Sequence, residues 1–86
     1  MRKVGCKARL LCLSFGVARP GQVTLDVFDV VGRRVRSLVR ASVPSGVHHR
    51  EWDGRDEQGR EAAAGLYFVK LQVREVTLVQ KVVALK

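Results

Sequence analysis

The sequence predicts an all-β protein, an antiparallel sandwich of about seven strands. Turn-forming residues recur at short intervals along the 86 residues, and the segments between them are rich in β-branched and aromatic residues. This spacing is typical of an all-β sandwich or barrel. Hydrophobic residues alternate within these segments, and no window of useful length has convincing helical periodicity.

Seven segments have the length and pattern of strands. In the second segment Val23, Leu25 and Val27 point to one side, while the residues between them point to the other. In the sixth segment Tyr67 and Val69 begin a run of alternate residues that share one face. The predicted strands are 8–15, 22–30, 33–40, 47–52, 60–62, 66–73 and 76–85.

Composition indicates one globular domain. The chain is 47% hydrophobic and 28% charged, which is ordinary for a folded protein, and it has no apolar run of the ~20 residues that a transmembrane helix needs. We expect residues 1–7 to be a poorly ordered extension and residues 8–86 to form the domain. The net charge of +8 admits polyanions as partners but does not require them.

The first residues allow two interpretations. A basic start and a short apolar run resemble a signal peptide, but alternation of Leu11, Leu13 and Phe15 favours a strand. Cys6 and Cys12 would be about 20 Å apart on one extended segment, so we expect no disulfide between them unless the chain reverses. The cysteines therefore do not distinguish an oxidising from a reducing compartment.

No catalytic constellation is visible. His48 and His49 are adjacent and would point to opposite faces of a strand, and no metal-binding or phosphate-binding spacing occurs. We therefore expect no enzyme activity, no cofactor and no small-molecule substrate.

The polar loop after the fourth predicted strand is the best candidate site. Asp53, Asp56 and Glu57 could bind calcium through their carboxylates, although their spacing does not fit a calcium-binding loop. We favour a structural role, in which Asp53 and Asp56 accept hydrogen bonds from backbone N–H groups and shape the turn.

Trp52 and Tyr67 flank this loop. We expect Trp52 to be buried at one end of the sandwich, with its indole N–H donating to a carbonyl, rather than to be an exposed binding residue. Tyr67 begins a strand, and we expect its hydroxyl to bond back to the chain, as a corner tyrosine does in some sandwiches.

A basic stripe lies along the third predicted strand. Arg33, Arg34, Arg36 and Arg40 could contact phosphates or another polyanion. No aromatic residues are interleaved with them to stack bases, and charged residues are common on edge strands. We favour the edge-strand interpretation and do not expect nucleic acid as the partner.

Three stretches together resemble a known domain: VTLDVFDVVGRRVRSLV, PSGVHHREWDGRDEQGREAAAGLYFVKL and QKVVALK. They look like the immunoglobulin-like domain that is shared by the flagellar hook-capping protein FlgD and by the C-terminal (type A) sorting domain of the type IX secretion system. The most specific residues are Asp29, Gly32, Gly46, Trp52, Asp53, Gly54, Gly59, Gly65, Leu66 and Tyr67. One departure is Arg50, where the pattern generally has an inward-facing apolar residue, so we expect that strand to be less buried or shifted.

The resemblance implies a non-enzymatic C-terminal sorting or attachment module of a larger bacterial protein. Such a protein is exported through the periplasm and is secreted or held at the cell surface, with its cargo upstream of this domain. Lys81 and Lys86 would be recognised by the secretion machinery. One alternative is a structural assembly module of the hook-cap kind, and a second is a small basic domain that binds polyanions or nucleic acid.

Overall fold

The computed structural model describes residues 1–4 and 11–84, which form two antiparallel β-sheets. Its strands are β1 (Arg2–Val4), β2 (Leu11–Val17), β3 (Gly21–Phe28), β4 (Arg34–Val43), β5 (Gly46–Trp52), β6 (Gly65–Val73) and β7 (Val76–Ala84). The predicted all-β sandwich is confirmed. The described residues contain no helix that could cross a membrane.

The two sheets differ in size. The smaller has three strands in the order β1-β2-β5, and the larger has four in the order β4-β3-β6-β7. The hairpins β3–β4 and β6–β7 stay within the larger sheet, whereas the β5–β6 connection crosses from one sheet to the other. That connection, residues 53–64, carries the loop singled out in the sequence.

Six of the seven predicted strands correspond to β2 through β7. The prediction of a strand at 60–62 is wrong, because Glu61 makes only an isolated bridge with Arg55 and the preceding residues form a tight turn. No sequence pattern predicted β1, which lies within the segment expected to be an extension and is three residues long. Residues 5–7 of that extension and residues 8–10 of the first predicted strand lie outside the described residues.

The core lies between the sheets and consists of residues that alternate along the strands. The largest fully buried side chains include Trp52, Phe15 and Leu13, all from the smaller sheet. They pack against the inner side of the larger sheet, where the predicted inward residues of β3 are fully buried. On β6 the predicted inner residues Val69 and Leu71 are buried, and Val73 at its end is only half-buried.

Two pairings of strands bear on the site. β2 and β5 pair without a register shift, from Leu11 with Trp52 to Val17 with Gly46. Arg50, on the inward side of β5, is half-buried, and its guanidinium donates to the carbonyl of His49 at 2.7 Å. That strand is less buried, as expected, but not shifted. The β3–β4 pairing, in contrast, has register shifts at two places.

The cysteine prediction changes once β1 is known. Cys12 is disulfide-bonded, and β1 and β2 are antiparallel, with Val4 opposite Cys12. The chain therefore reverses between these strands, which is the condition under which the sequence left a bridge possible. The other cysteine of the chain, Cys6, lies outside the described residues.

Candidate functional site

The loop 53–64 is held at both ends by buried aromatic residues. Trp52 is 1% exposed, and its indole N–H donates to the Arg55 carbonyl at 3.0 Å. The Tyr67 ring meets the indole edge-on, with the ring centroids 5.1 Å apart, and its hydroxyl donates to the Ala63 carbonyl at 2.6 Å. The two rings therefore fix the entry and the exit of the loop to the core.

A five-residue turn within this loop also occurs at the β3–β4 hairpin. The two sequences are DVVGR at 29–33 and DEQGR at 56–60. In both, the aspartate N–H donates to the arginine carbonyl at 2.9 Å, and the glycine N–H donates to the aspartate carbonyl. Gly32 and Gly59 have φ of 88° and 82°, a left-handed conformation that glycine adopts at little cost. The repeated D-x-x-G-R pattern is a signal that the sequence interpretation missed.

The aspartate side chains complete these turns. The Asp29 carboxylate accepts from the Arg33 backbone N–H at 2.9 Å, and the Asp56 carboxylate accepts from that of Arg60 at 3.0 Å. In each turn the arginine side chain also pairs with the aspartate. Chiefly because of the N–H bond from Arg33, the pKa of Asp29 is below its ordinary value, and the bond from Arg60 lowers the pKa of Asp56.

The loop lies against the edge of β4. The guanidinium of Arg36 donates to the carbonyls of Arg55 and Asp56, each at 3.4 Å. The Ser37 backbone N–H donates to the Glu57 carboxylate. The loop thus supplies acceptors to an edge strand whose backbone N–H groups would otherwise face solvent.

The three candidate calcium ligands each accept hydrogen bonds from a different part of the chain. Asp53 accepts from the Arg55 backbone N–H at 3.0 Å and lies 3.6 Å from the guanidinium of Arg36, while Asp56 and Glu57 make the bonds described above. The described residues contain no group of three or more His, Cys, Asp or Glu that could hold a metal ion. As expected, Asp53 and Asp56 shape the chain through backbone N–H groups.

The arginine stripe is largely occupied by contacts within the chain. Arg33 and Arg36 bond to the turn and the loop described above, and Arg40 makes an ion pair with Asp26 at 3.1 Å. The side chain of Arg34 is exposed and has no hydrogen bond or ion pair with another described residue. The structure therefore places most of these guanidinium groups in edge and turn contacts rather than in a row free for a polyanion.

Asp26 is a polar residue whose burial the sequence interpretation did not predict. It lies on the outer side of β3 opposite Lys70, yet it is only 7% exposed. One carboxylate oxygen pairs with Arg40, and the other is buried with no hydrogen-bond partner among the described residues. Alternation placed Asp26 away from the core correctly, but burial on this face depends on neighbouring strands.

The remaining predicted side chains, on His48, His49 and Lys81, lie outside the loop. The His48 ring N–H donates to the Pro44 carbonyl at 2.7 Å and the ring stacks on Phe15, whereas His49 is exposed. Lys81 is exposed on β7, and Lys86 lies outside the described residues. The five glycines of the motif all have positive φ: Gly32, Gly46, Gly54, Gly59 and Gly65.

These features define a class of protein: an immunoglobulin-like β-sandwich whose polar loop is bonded to its own backbone. The family model of the FlgD Ig-like domain matches residues 15–75. The match covers more than half of the chain, and the chain belongs to this family. No curated protein and no solved structure gives a significant match.

Proposed function

We propose that this domain is a structural assembly module that holds protein parts together and performs no reaction. The observation that carries the proposal is the match of residues 15–75 to the FlgD Ig-like domain, a structural family. The site agrees with this role, because its carboxylates are engaged by backbone N–H groups and arginines of the same chain.

Recovery of the chain from its source cells tests this proposal. A tagged copy is isolated at high salt, and an unrelated protein of similar size and charge serves as the control for non-specific binding of a +8 chain. We expect the chain, but not the control, to elute in a complex of fixed stoichiometry. Elution as a monomer from cells that express it at its natural level would contradict the assembly role.

A sorting or attachment role is the second candidate. The observation that favours it is the exposure of Lys81, one of the two lysines that the resemblance assigns to recognition by the secretion machinery. In this role the domain would follow an exported cargo and direct it to the cell surface. The partner would be a protein of the secretion machinery.

A reporter fusion separates the two roles. A reporter with a signal peptide is placed upstream of the chain in a bacterium that has a type IX system. Sorting predicts that the reporter reaches the surface, that Lys81→Ala reduces this, and that Lys70→Ala on the neighbouring strand does not. Retention of the wild-type fusion in the periplasm would eliminate sorting and leave assembly.

A further inference from the structure

β7 is an edge strand with a regular backbone and a free side. Its nine residues pair with β6 without a register shift, from Val76 opposite Val73 to Ala84 opposite Gly65. Among the described residues no strand pairs with its other side. A long, regular edge is the backbone template that an added strand requires.

The direction of the free backbone groups follows from the β6–β7 turn. In a hairpin with a two-residue turn the flanking pair, here Val73 and Val76, is hydrogen-bonded. Alternate residues from Thr77 onward therefore direct N–H and C=O away from β6. These residues are Thr77, Val79, Lys81 and Val83, and they offer a ladder of donors and acceptors along the strand.

The side chains along this edge are apolar on both faces of the sheet. Val79 and Val83 are 60% and 51% exposed on the outer face. Val76 and Leu78 are 58% and 44% exposed on the side that faces the core. Exposed apolar residues grouped on one regular edge mark an interaction site rather than ordinary surface.

A groove runs beside the first half of β7 and explains the exposure of its inner residues. β1 pairs with β2 only as far as Ser14, so the smaller sheet covers less of this corner. The resulting groove has a volume of about 250 Å³. Its apolar lining includes Val17, Leu71, Val73, Val76 and Leu78. A strand added to β7 would direct alternate side chains toward this groove.

The charges around the β7 edge indicate which kind of strand would pair with it. Lys81 is the one charged residue of β7, and Arg19 and Arg74 are among the residues that line the groove. The one acid of the adjoining β6–β7 turn is Glu75, so the local charge remains positive. Arg74 is held there, because its guanidinium donates to the Pro20 carbonyl at 2.8 Å. A second copy of the chain would bring another +8 charge to this cationic edge, whereas carboxylates would complement it.

We propose that the free edge of β7 accepts an extended segment of another protein as an added strand. The segment has alternating apolar residues that face the groove and, on its opposite face, carboxylates that lie beside Lys81. This inference deepens the assembly role and rests on it. It identifies the surface and the chemistry of the partner segment.

A synthetic strand tests the surface directly. The probe is the blocked peptide TVEVTVEVT, which matches β7 in length, and the control is TVKVTVKVT, which differs only in charge. We expect saturable NMR shift changes on β7 and the groove residues, with several-fold weaker binding of the control because like charges oppose across strands. No shift change at millimolar peptide, or changes confined to other strands, would overturn the proposal.

Two exposed valines supply matched variants. Val79→Glu places a carboxylate on the outer face of the β7 edge, and we expect it to weaken binding of the acidic probe about tenfold (~1.4 kcal/mol), because like charges oppose across strands. Val31→Glu changes a valine that is 70% exposed at the tip of the β3–β4 hairpin, and this variant should bind the probe like the wild type. Equal losses in both variants would contradict a site on β7.

Separate measurements distinguish the β7 site from the assembly role. A chain that forms a stoichiometric complex in cells but binds the probe nowhere on β7 retains the assembly role and loses this surface. Concentration-dependent NMR shift changes along β7 of the pure chain would make a second copy the occupant and overturn the acidic partner.

Discussion

β4 and β7 are the two edge strands of one sheet, and within the described residues only β4 has its edge contacted by another segment. The loop 53–64 supplies the Glu57 carboxylate to the Ser37 N–H and two carbonyls to Arg36. β4 also pairs with β3 irregularly, whereas β7 pairs with β6 without a shift. One edge is bulged, charged and covered, and the other is regular and apolar.

The difference shows what the polar loop does for the fold. Bulges, charges and covering segments all prevent a strand edge from pairing with another chain, and β4 has all three. The loop's Glu57 carboxylate and two of its carbonyls accept hydrogen bonds from the β4 edge, so these groups are already bonded within the chain. The opposite edge has neither a bulge nor a covering segment among the described residues, and Lys81 is its one charged residue.

The largest expected effect comes from Trp52→Ala. The indole is almost fully buried and bonds the loop at Arg55, so we expect a loss of about 3–5 kcal/mol in the free energy of unfolding, measured by denaturant titration. Trp52→Phe keeps most of the ring and loses the N–H. It should fold, and the Ser37 amide should exchange faster than in the wild type. Unchanged exchange would show that the loop does not depend on this anchor.

Tyr67→Phe should have a smaller effect. It removes the hydroxyl that donates to Ala63 and leaves the ring packed on Trp52. We expect a loss of about 1 kcal/mol, which lowers the melting temperature by roughly 4–8 °C in a domain of this size. An unchanged melting temperature would mean that this hydrogen bond does not hold the exit of the loop.

Glu57→Ala tests the cover of the β4 edge itself. We expect a loss of about 0.5 kcal/mol, because the bond is solvent-exposed, together with faster exchange of the Ser37 amide and no change along β7. Glu57→Gln keeps an acceptor oxygen and should restore protection. Glu75→Ala, in the β6–β7 turn, is the matched control and should leave Ser37 unaffected. Equal exchange rates of the Ser37 amide in all three variants would show that Glu57 does not protect the β4 edge.

Because of the two D-x-x-G-R turns, we expect the stability of the fold to decrease modestly at low pH. The pKa values of Asp29 and Asp56 are lowered in the fold, so both carboxylates stabilise it above their unfolded value of about 3.9. That contribution is lost as the pH falls through the lowered folded pKa. Asp29→Asn and Asp56→Asn should each flatten the decline in melting temperature below about pH 4. A decline as steep as that of the wild type would contradict a stabilising role for the ionised carboxylates of Asp29 and Asp56.

Much of the fold could be predicted from local pattern. Alternation gave the buried faces of β3 and most of β6, and a tryptophan before Asp53-Gly54 indicated a buried anchor. The pattern could not show β1, which is short and owes its existence to pairing with β2. It also could not show that Asp26 is buried or that the loop reaches β4, since both depend on strands distant in sequence.

Amide hydrogen exchange of the 86-residue chain, measured residue by residue, distinguishes a covered β4 edge from an open β7 edge. We expect the Ser37 amide to be protected, the amides of Thr77, Val79, Lys81 and Val83 to exchange rapidly, and those of Leu78 and Val82 to exchange slowly. Equal protection of all β7 amides, or rapid exchange at Ser37, would contradict this difference between the two edges.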